Sequence, residues 1–449
     1  MLRVSGARSS WDYRDLSNGP AEILIRDGVL TDGYPVGPSD AAAEWTNLDA
    51  SGCVITPGLV NAHHHMFQTA FRTIPATRGV PMSQWLPEMG KAYAEVGITA
   101  SAVRLAARAA IAESLLSGVT TVADHHLTWP ADTDGVELAR ATESAARELG
   151  IRLVFVRGSA GDPAEAVADS VDAIADALAP DFGGLSGDGM IQVAAGPAGV
   201  HSDGEETFRR VGEVAARRGL RRRTQANEVI DVERSAARYG ARPIELLDRW
   251  GWLAPDVTLA HLCDVTDAEI ALLAERQVAA THAPGCDVAM GWGIAPMRRM
   301  LGAGIRVGLG TSGGGSNDAG HLLADARLAM QVSALVGEQV PARAALDAAT
   351  RGSALGLGRP ELGSLAQGSR ADLAIWDVSG VADAGVADPI AGLLWANPGR
   401  RPRHVIVDGR IVVKDYRLVS ADEHAIAADL SRFLKLDGAT GHQPRRESA

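Results

Sequence analysis

A chain of 449 residues, 46% hydrophobic and 22% charged, is long enough for a large barrel plus an appended unit and reads as an ordinary globular protein. Its formal net charge of −12 argues against a nucleic-acid or anionic-membrane partner. Three cysteines, Cys53, Cys263 and Cys286, cannot all pair and form no CxxC motif, which suits a reducing, cytoplasmic setting; MLRVSGARSS lacks an apolar signal core, and no apolar run approaches the roughly 18 residues of a membrane span.

In chain order, residues 21–56 carry AEILIRDGVL and GCVITPG, alternating segments with an Asp-Gly turn that predict hairpin strands. The middle of the chain then repeats a short apolar run, a polar loop and an amphipathic helix. The strand candidates are CVITPGLV, GVTTVADHH, IRLVFVRGS, MIQVAAGP, LRRRTQAN, VTLAHLCD, QVAATHAPG and IRVGLGTSG. Helical stretches such as TASAVRLAARAAIAESLLSG and DGVELARATESAARELG lie between them and end on Gly118 and Gly150. Eight such units predict a (β/α)8 barrel. An open doubly wound sheet is the alternative, disfavoured because no GxGxxG opens a helix after the first strand. Residues 363–415 return to alternating strands, GSLAQGSRADLAIWDV and HVIVDGRIVVKD. The expected organisation is therefore 1–56 and 363–449 as the two parts of a small β-sandwich domain, with 57–362 as the barrel and 437–449 as a frayed tail.

In such a barrel, chemistry sits at the C-terminal ends of the strands. The first strand ends in NAHHHMFQ, where His63 and His65 share a face, His64 points the other way and Gln68 follows. Asp124, His125 and His126 end the second strand, and the fourth leads to His201. The fifth carries Arg223 and Gln225 on one face, then Glu228. The sixth ends at His261, the seventh at His282, and the eighth at Thr311, Ser312, Asn317 and Asp318. A lone strand-end histidine is usually structural, but histidines at five strand ends point to one shared polar site.

ITPGLVNAHHHMFQTAFR resembles the metal-binding first strand of the amidohydrolase superfamily, and GSRADLAIWD and HVIVDGRIVVKD resemble its C-terminal β-domain. SLLSGVTTVADHHL, MGWGIAPM, GLGTSGGGSND and ATRGSALGLGRPELGSLAQGSRADLA resemble the branch of triazine hydrolases and nucleobase deaminases. The resemblance implies that His63 and His65 bind a divalent metal, Zn2+ or Fe2+, that Glu228 shuttles protons, and that His261 orients or polarises substrate or water. It also implies that Gln68, Trp85, Trp292 and His282 line a pocket for a small planar heterocycle, with Arg223 a further substrate-binding candidate; relatives are often dimers or larger, a homodimer being one such assembly. Two positions depart from the pattern: Gln225 stands where a third metal-binding histidine is expected, and Ser312 where most members have an aspartate. Both are weaker donors than the residues they replace.

This donor set leaves two expectations for the metal: a weakened site using Gln225 and Ser312, or a lost metal whose space and charge Arg223 takes over, unless Arg223 pairs with a carboxylate inside the barrel. The leading functional reading is a hydrolase cleaving ring C–N or C–Cl bonds, with metal-activated water and Glu228 as proton carrier. The alternatives are a metal-independent acid–base catalyst of lyase or isomerase type using Glu228, His261 and Arg223, and a non-catalytic heterocycle-binding protein.

Overall fold

The computed structural model describes residues 1–13, 21–31 and 45–435; the tail expected over 437–449 lies outside the described residues. Eight parallel strands form the barrel: β1 (Leu59–His65), β2 (Val119–His126), β3 (Arg152–Ser159), β4 (Ile191–Pro197), β5 (Arg221–Ala226), β6 (Val257–His261), β7 (Ala279–His282) and β8 (Val307–Leu309). Each pairs with the next in chain order. Closure comes from the continuation of β8: Thr311 donates its N–H to the His63 carbonyl, and Ser312–Gly313 pair in parallel with His64–His65. That continuation places Ser312 directly against the metal-motif strand. Helices such as Ala100–Leu116, Gly135–Leu149 and Glu205–Arg218 cover the outside of the sheet. The first is capped by the Thr99 side chain, and the other two end on glycines in the left-handed conformation.

Both chain ends build the second unit. A four-stranded sheet orders Val29–Thr31, Ala21–Arg26, Leu2–Ala7 and Thr46–Asp49; a six-stranded sheet includes Cys53–Pro57 paired antiparallel with Leu373–Asp377. Val4, Ile25, Leu48, Ile55, Leu373 and Ile406 fill the space between the two sheets, so the apolar faces predicted by alternation meet as a sandwich. The two Asp-Gly signals form tight hairpin turns, with positive φ at Asp27 (51°), Gly28 (74°), Asp408 (52°) and Gly409 (74°).

One strand candidate divides. CVITPGLV is not a single barrel strand: Cys53–Pro57 belongs to the β-sandwich and β1 begins at Leu59. Gly58 makes the change of sheet, because a Cβ there would lie 2.2 Å from the Thr120 side chain. Continuous apolar character hid this boundary, since both halves are buried.

The two units are joined by a buried charge cluster. Arg152 of β3 is fully buried and donates Nε to Asp372 at 2.7 Å and Nη2 to Asp408 at 2.8 Å. Removing one partner of such a group leaves uncompensated buried charge. Arg152→Ala is therefore expected to destabilise the protein by roughly 3–5 kcal/mol, read as a lower denaturant midpoint. An unchanged midpoint would show that the sandwich docks on apolar contacts alone.

Candidate active site

The strand ends converge as the alternation predicts. The His63 ring is fully buried between those of His65 and His261, with centroid separations of 4.8 and 5.1 Å. His65 Nδ1 lies 2.7 Å from the His125 carbonyl, so its other nitrogen faces inward. His64, on the opposite face, is fixed by the Ser312 carbonyl and by the Thr311 hydroxyl at 3.0 Å. Gln225 donates its amide to the Ala198 carbonyl at 3.1 Å, which turns Oε1 towards His261 Nε2, also at 3.1 Å. Glu228 follows in the turn before the helix Val229–Tyr239, 3.6 Å from the same His261 nitrogen.

Several of these groups lack a protein partner. Among the described residues, both nitrogens of His63, both carboxylate oxygens of Glu228 and Oε1 of Gln68 are buried without a hydrogen bond. Each such atom costs about 1–3 kcal/mol if nothing else meets it. Burial, then the neighbouring His65, His261 and His125 rings, and finally the Arg223 charge, all push the His63 pKa well down. Burial likewise holds His65 near 4. Both rings are thus neutral, the form that binds a cation. A neutral imidazole pair, an amide oxygen and a buried carboxylate around one point fit a divalent ion.

Backbone strain also falls at this place. Asn227 (φ 55°), His261 (75°), Leu262 (58°) and Ser312 (55°) adopt left-handed conformations without being glycine. Such residues recur where a site must be aimed at the expense of local comfort.

Sequence reasoning missed Asp287. This carboxylate enters from the short helix Pro284–Ala289 after β7 and is completely buried. It accepts from His261 Nδ1 at 2.6 Å and His282 Nδ1 at 2.9 Å. Burial alone would raise its pKa, but the two rings hold it at about 2. The carboxylate missing at Ser312 is therefore supplied to the His261 side of the site from the neighbouring strand's loop. Ser312 itself lines the cleft.

Two expected pocket residues lie elsewhere. Arg223 is absent from the cleft lining: it is buried deeper in the barrel and donates to the Ala62 carbonyl, with Nε and Nη1 unpartnered. The expected pairing with a carboxylate is not found: among the described residues Arg223 meets none, and its one hydrogen bond is made to backbone; burial lowers its pKa to about 9. His282 stands behind the cleft, turned onto Asp287.

The cleft above these groups has a volume of about 480 Å³. Gln68, Trp85 and Trp292 line it as expected, joined by Tyr93 and Trp129, which sequence reasoning did not single out. Trp85 is pinned by its indole N–H to the Gly315 carbonyl at 2.9 Å, and Trp129 by its own to Gly158 at 2.7 Å. Such a volume with aromatic walls suits a small planar ligand.

Residues 54–412 match the amidohydrolase family, and the chain belongs to that family. It is 33% identical over 428 residues to 8-oxoguanine deaminase of Pseudomonas aeruginosa, covering 91% of this chain and 94% of the relative. It is 33% identical over 431 residues to 5-methylthioadenosine/S-adenosylhomocysteine deaminase of Halobacterium salinarum, covering 95% of each. Among solved structures, atrazine chlorohydrolase TrzN from Arthrobacter aurescens TC1 complexed with zinc superposes with a TM-score of 0.89 at 35% identity, over 97% of this chain and 100% of that one. The barrel-plus-sandwich fold and the hydrolase class expected from the sequence are borne out.

Gly313 allows close packing against two residues of the cleft wall: a Cβ there would lie 2.2 Å from Gln68 Oε1 and 2.8 Å from the His65 Cβ. Gly313→Ala should displace Gln68 and cost about 1–3 kcal/mol, measured by denaturant unfolding and by ring-ligand titration. Unaltered ligand affinity would remove Gln68 from the recognition surface.

Proposed function

We propose that this chain is a metal-dependent hydrolase that removes an amino or chloro group from a small N-heteroaromatic ring, with deamination the preferred reaction. The single observation that carries the reading is the buried meeting of His63, His65, His261 and Gln225 with the carboxylate of Glu228, unpartnered among the described residues, beneath an aromatic-walled cleft that His65 and Gln225 line. His63, His65 and His261 would hold the ion through ring nitrogens and Gln225 through Oε1, with the Ser312 hydroxyl as a weak neutral neighbour. Zinc is the ion of this reading, supported by the zinc complex of the atrazine chlorohydrolase; Fe2+ is the second choice. When bound, such an ion supplies Lewis acidity that brings the pKa of water towards about 7.

The protein groups then divide the remaining work. Trp85, Trp129 and Trp292 present flat faces to the ring and exclude bulk water. Gln68 borders the cleft, and its amide would read a polar ring edge there. Burial raises the Glu228 pKa, opposed by His261 and then His201, so the carboxyl is suited both to accept and to return a proton. It accepts the proton of the water that adds to the ring carbon. It then delivers that proton to the ring nitrogen; on collapse the remaining hydroxyl proton passes to the departing amine, which leaves as ammonia while the ring keeps the oxygen as a carbonyl. Asp287, by holding His261 through Nδ1, fixes the direction of Nε2.

The same reading places the enzyme in the cytoplasm, where Cys53, Cys263 and Cys286 remain free thiols, and as a homodimer. Among the described residues no helix is long and apolar enough to cross a membrane.

Glu228→Gln should lower turnover by about 100- to 10,000-fold while ring binding persists. A panel of amino- and chloro-substituted triazines, purines, pteridines and pyrimidines, followed by ammonia or chloride release, supplies the assay. Wild-type turnover by the variant would dismiss Glu228, and activity restricted to peptides or esters would overturn the substrate class.

A further inference from the structure

One side chain in the cleft has no task in the chemistry above. His201, in the loop after β4, borders the cleft with only 7% of its side chain exposed. Its Nδ1 lies 3.3 Å from Asp231 Oδ1, and Asp231 is itself almost fully buried. The second oxygen of Asp231 accepts the backbone N–H of Asn227 at 2.9 Å, the residue immediately before Glu228. One carboxylate therefore fixes both the His201 ring and the backbone that aims Glu228. Gly199 leaves room for the ring, since a Cβ there would lie 2.7 Å from His201 Nδ1.

An imidazole anchored in this way has one nitrogen committed and one left for a ligand. With Nδ1–H given to Asp231, Nε2 is the atom available to the cleft. The charged groups around it are Asp231, Glu228 and Arg234. Burial opposes protonation of the ring and Arg234 adds to that opposition, but the Asp231 hydrogen bond and the Glu228 and Asp231 charges prevail, and the His201 pKa is raised. A protonated ring presents Nε2–H as a charge-assisted donor, which favours an acceptor oxygen, most of all one carrying negative charge.

We propose that His201, held by Asp231, is the specificity-determining residue of this cleft: its Nε2 donates to a carbonyl or ionised lactam edge, so the substrate is an oxo-substituted amino-heterocycle rather than a ring bearing amino or chloro groups alone. This inference rests on the heterocycle reading of the cleft and goes further by naming the substrate's chemical class. Amino-only and chloro-only rings lack the acceptor that His201 addresses and leave a buried donor unsatisfied, which is how a polar pocket rejects an analogue.

Isothermal titration with two inert rings of one shape, hypoxanthine and unsubstituted purine, tests it on the purified, metal-replete protein. The wild type should bind hypoxanthine about 10- to 100-fold tighter than purine, the gain of one charge-assisted hydrogen bond. His201→Ala should erase that preference while leaving purine affinity unchanged. His201→Gln, which keeps an Nε2–H donor, should retain part of it and serves as the test should the alanine variant fold poorly. A preference that survives intact in His201→Ala, one wholly lost in His201→Gln as well as His201→Ala, or no preference in the wild type, overturns the proposal. Failure of the wild type to bind either ring overturns the heterocycle reading itself.

Discussion

The structure depends on one constraint: polar atoms buried at the strand ends must be satisfied, and the protein does not satisfy them. Among the described residues, His63 has no hydrogen-bond partner on either nitrogen, and Glu228 has none on either oxygen. The barrel brings these groups together by parallel register, with closure through Thr311 and Ser312 placing the last strand against the first. A fold of this size has a net stability of only about 5–15 kcal/mol, so several orphaned polar atoms at about 1–3 kcal/mol each are a large concession. The concession makes sense when a cation and a water complete the site.

Around that centre, the sequence uses an unusual set of donors. Gln225 brings an amide oxygen where an imidazole is expected, and its own N–H is tied to Ala198 so that only the oxygen faces His261. Asp287 supplies ionised charge from behind His261. Arg223 sits deeper, and its charge adds to burial in keeping His63, His65 and His125 unprotonated. The repulsion that keeps these rings neutral acts on a bound cation as well, so the competition expected from the sequence persists, exerted from deeper in the barrel.

The barrel, the sandwich and the inward histidines were legible because each follows from short-range periodicity: two-residue alternation puts His63 and His65 on one face, and Asp-Gly marks the hairpins. The features that escaped depend on contacts between distant segments. Asp287 lies in a short helix with no periodic signal, although a carboxylate five residues beyond a strand-end histidine could have prompted attention. Trp129 and Tyr93 become cleft walls only once their helices and loops are docked. The split at Gly58 was invisible because residues on both sides of it are equally buried. Arg223 and Gln225 do share a face, but alternation gives no depth, and depth removes Arg223 from the cleft.

The central claim is that the buried strand-end cluster is a cation site in which Gln225 takes part. Metal content of protein purified without added metal, measured by elemental analysis beside Gln225→Ala, tests it most directly. The account predicts one divalent ion, zinc foremost, per wild-type chain and a lower content in the variant after the same dialysis against chelator. A wild-type chain that carries no ion, yet turns over a heterocycle at an undiminished rate, would contradict it.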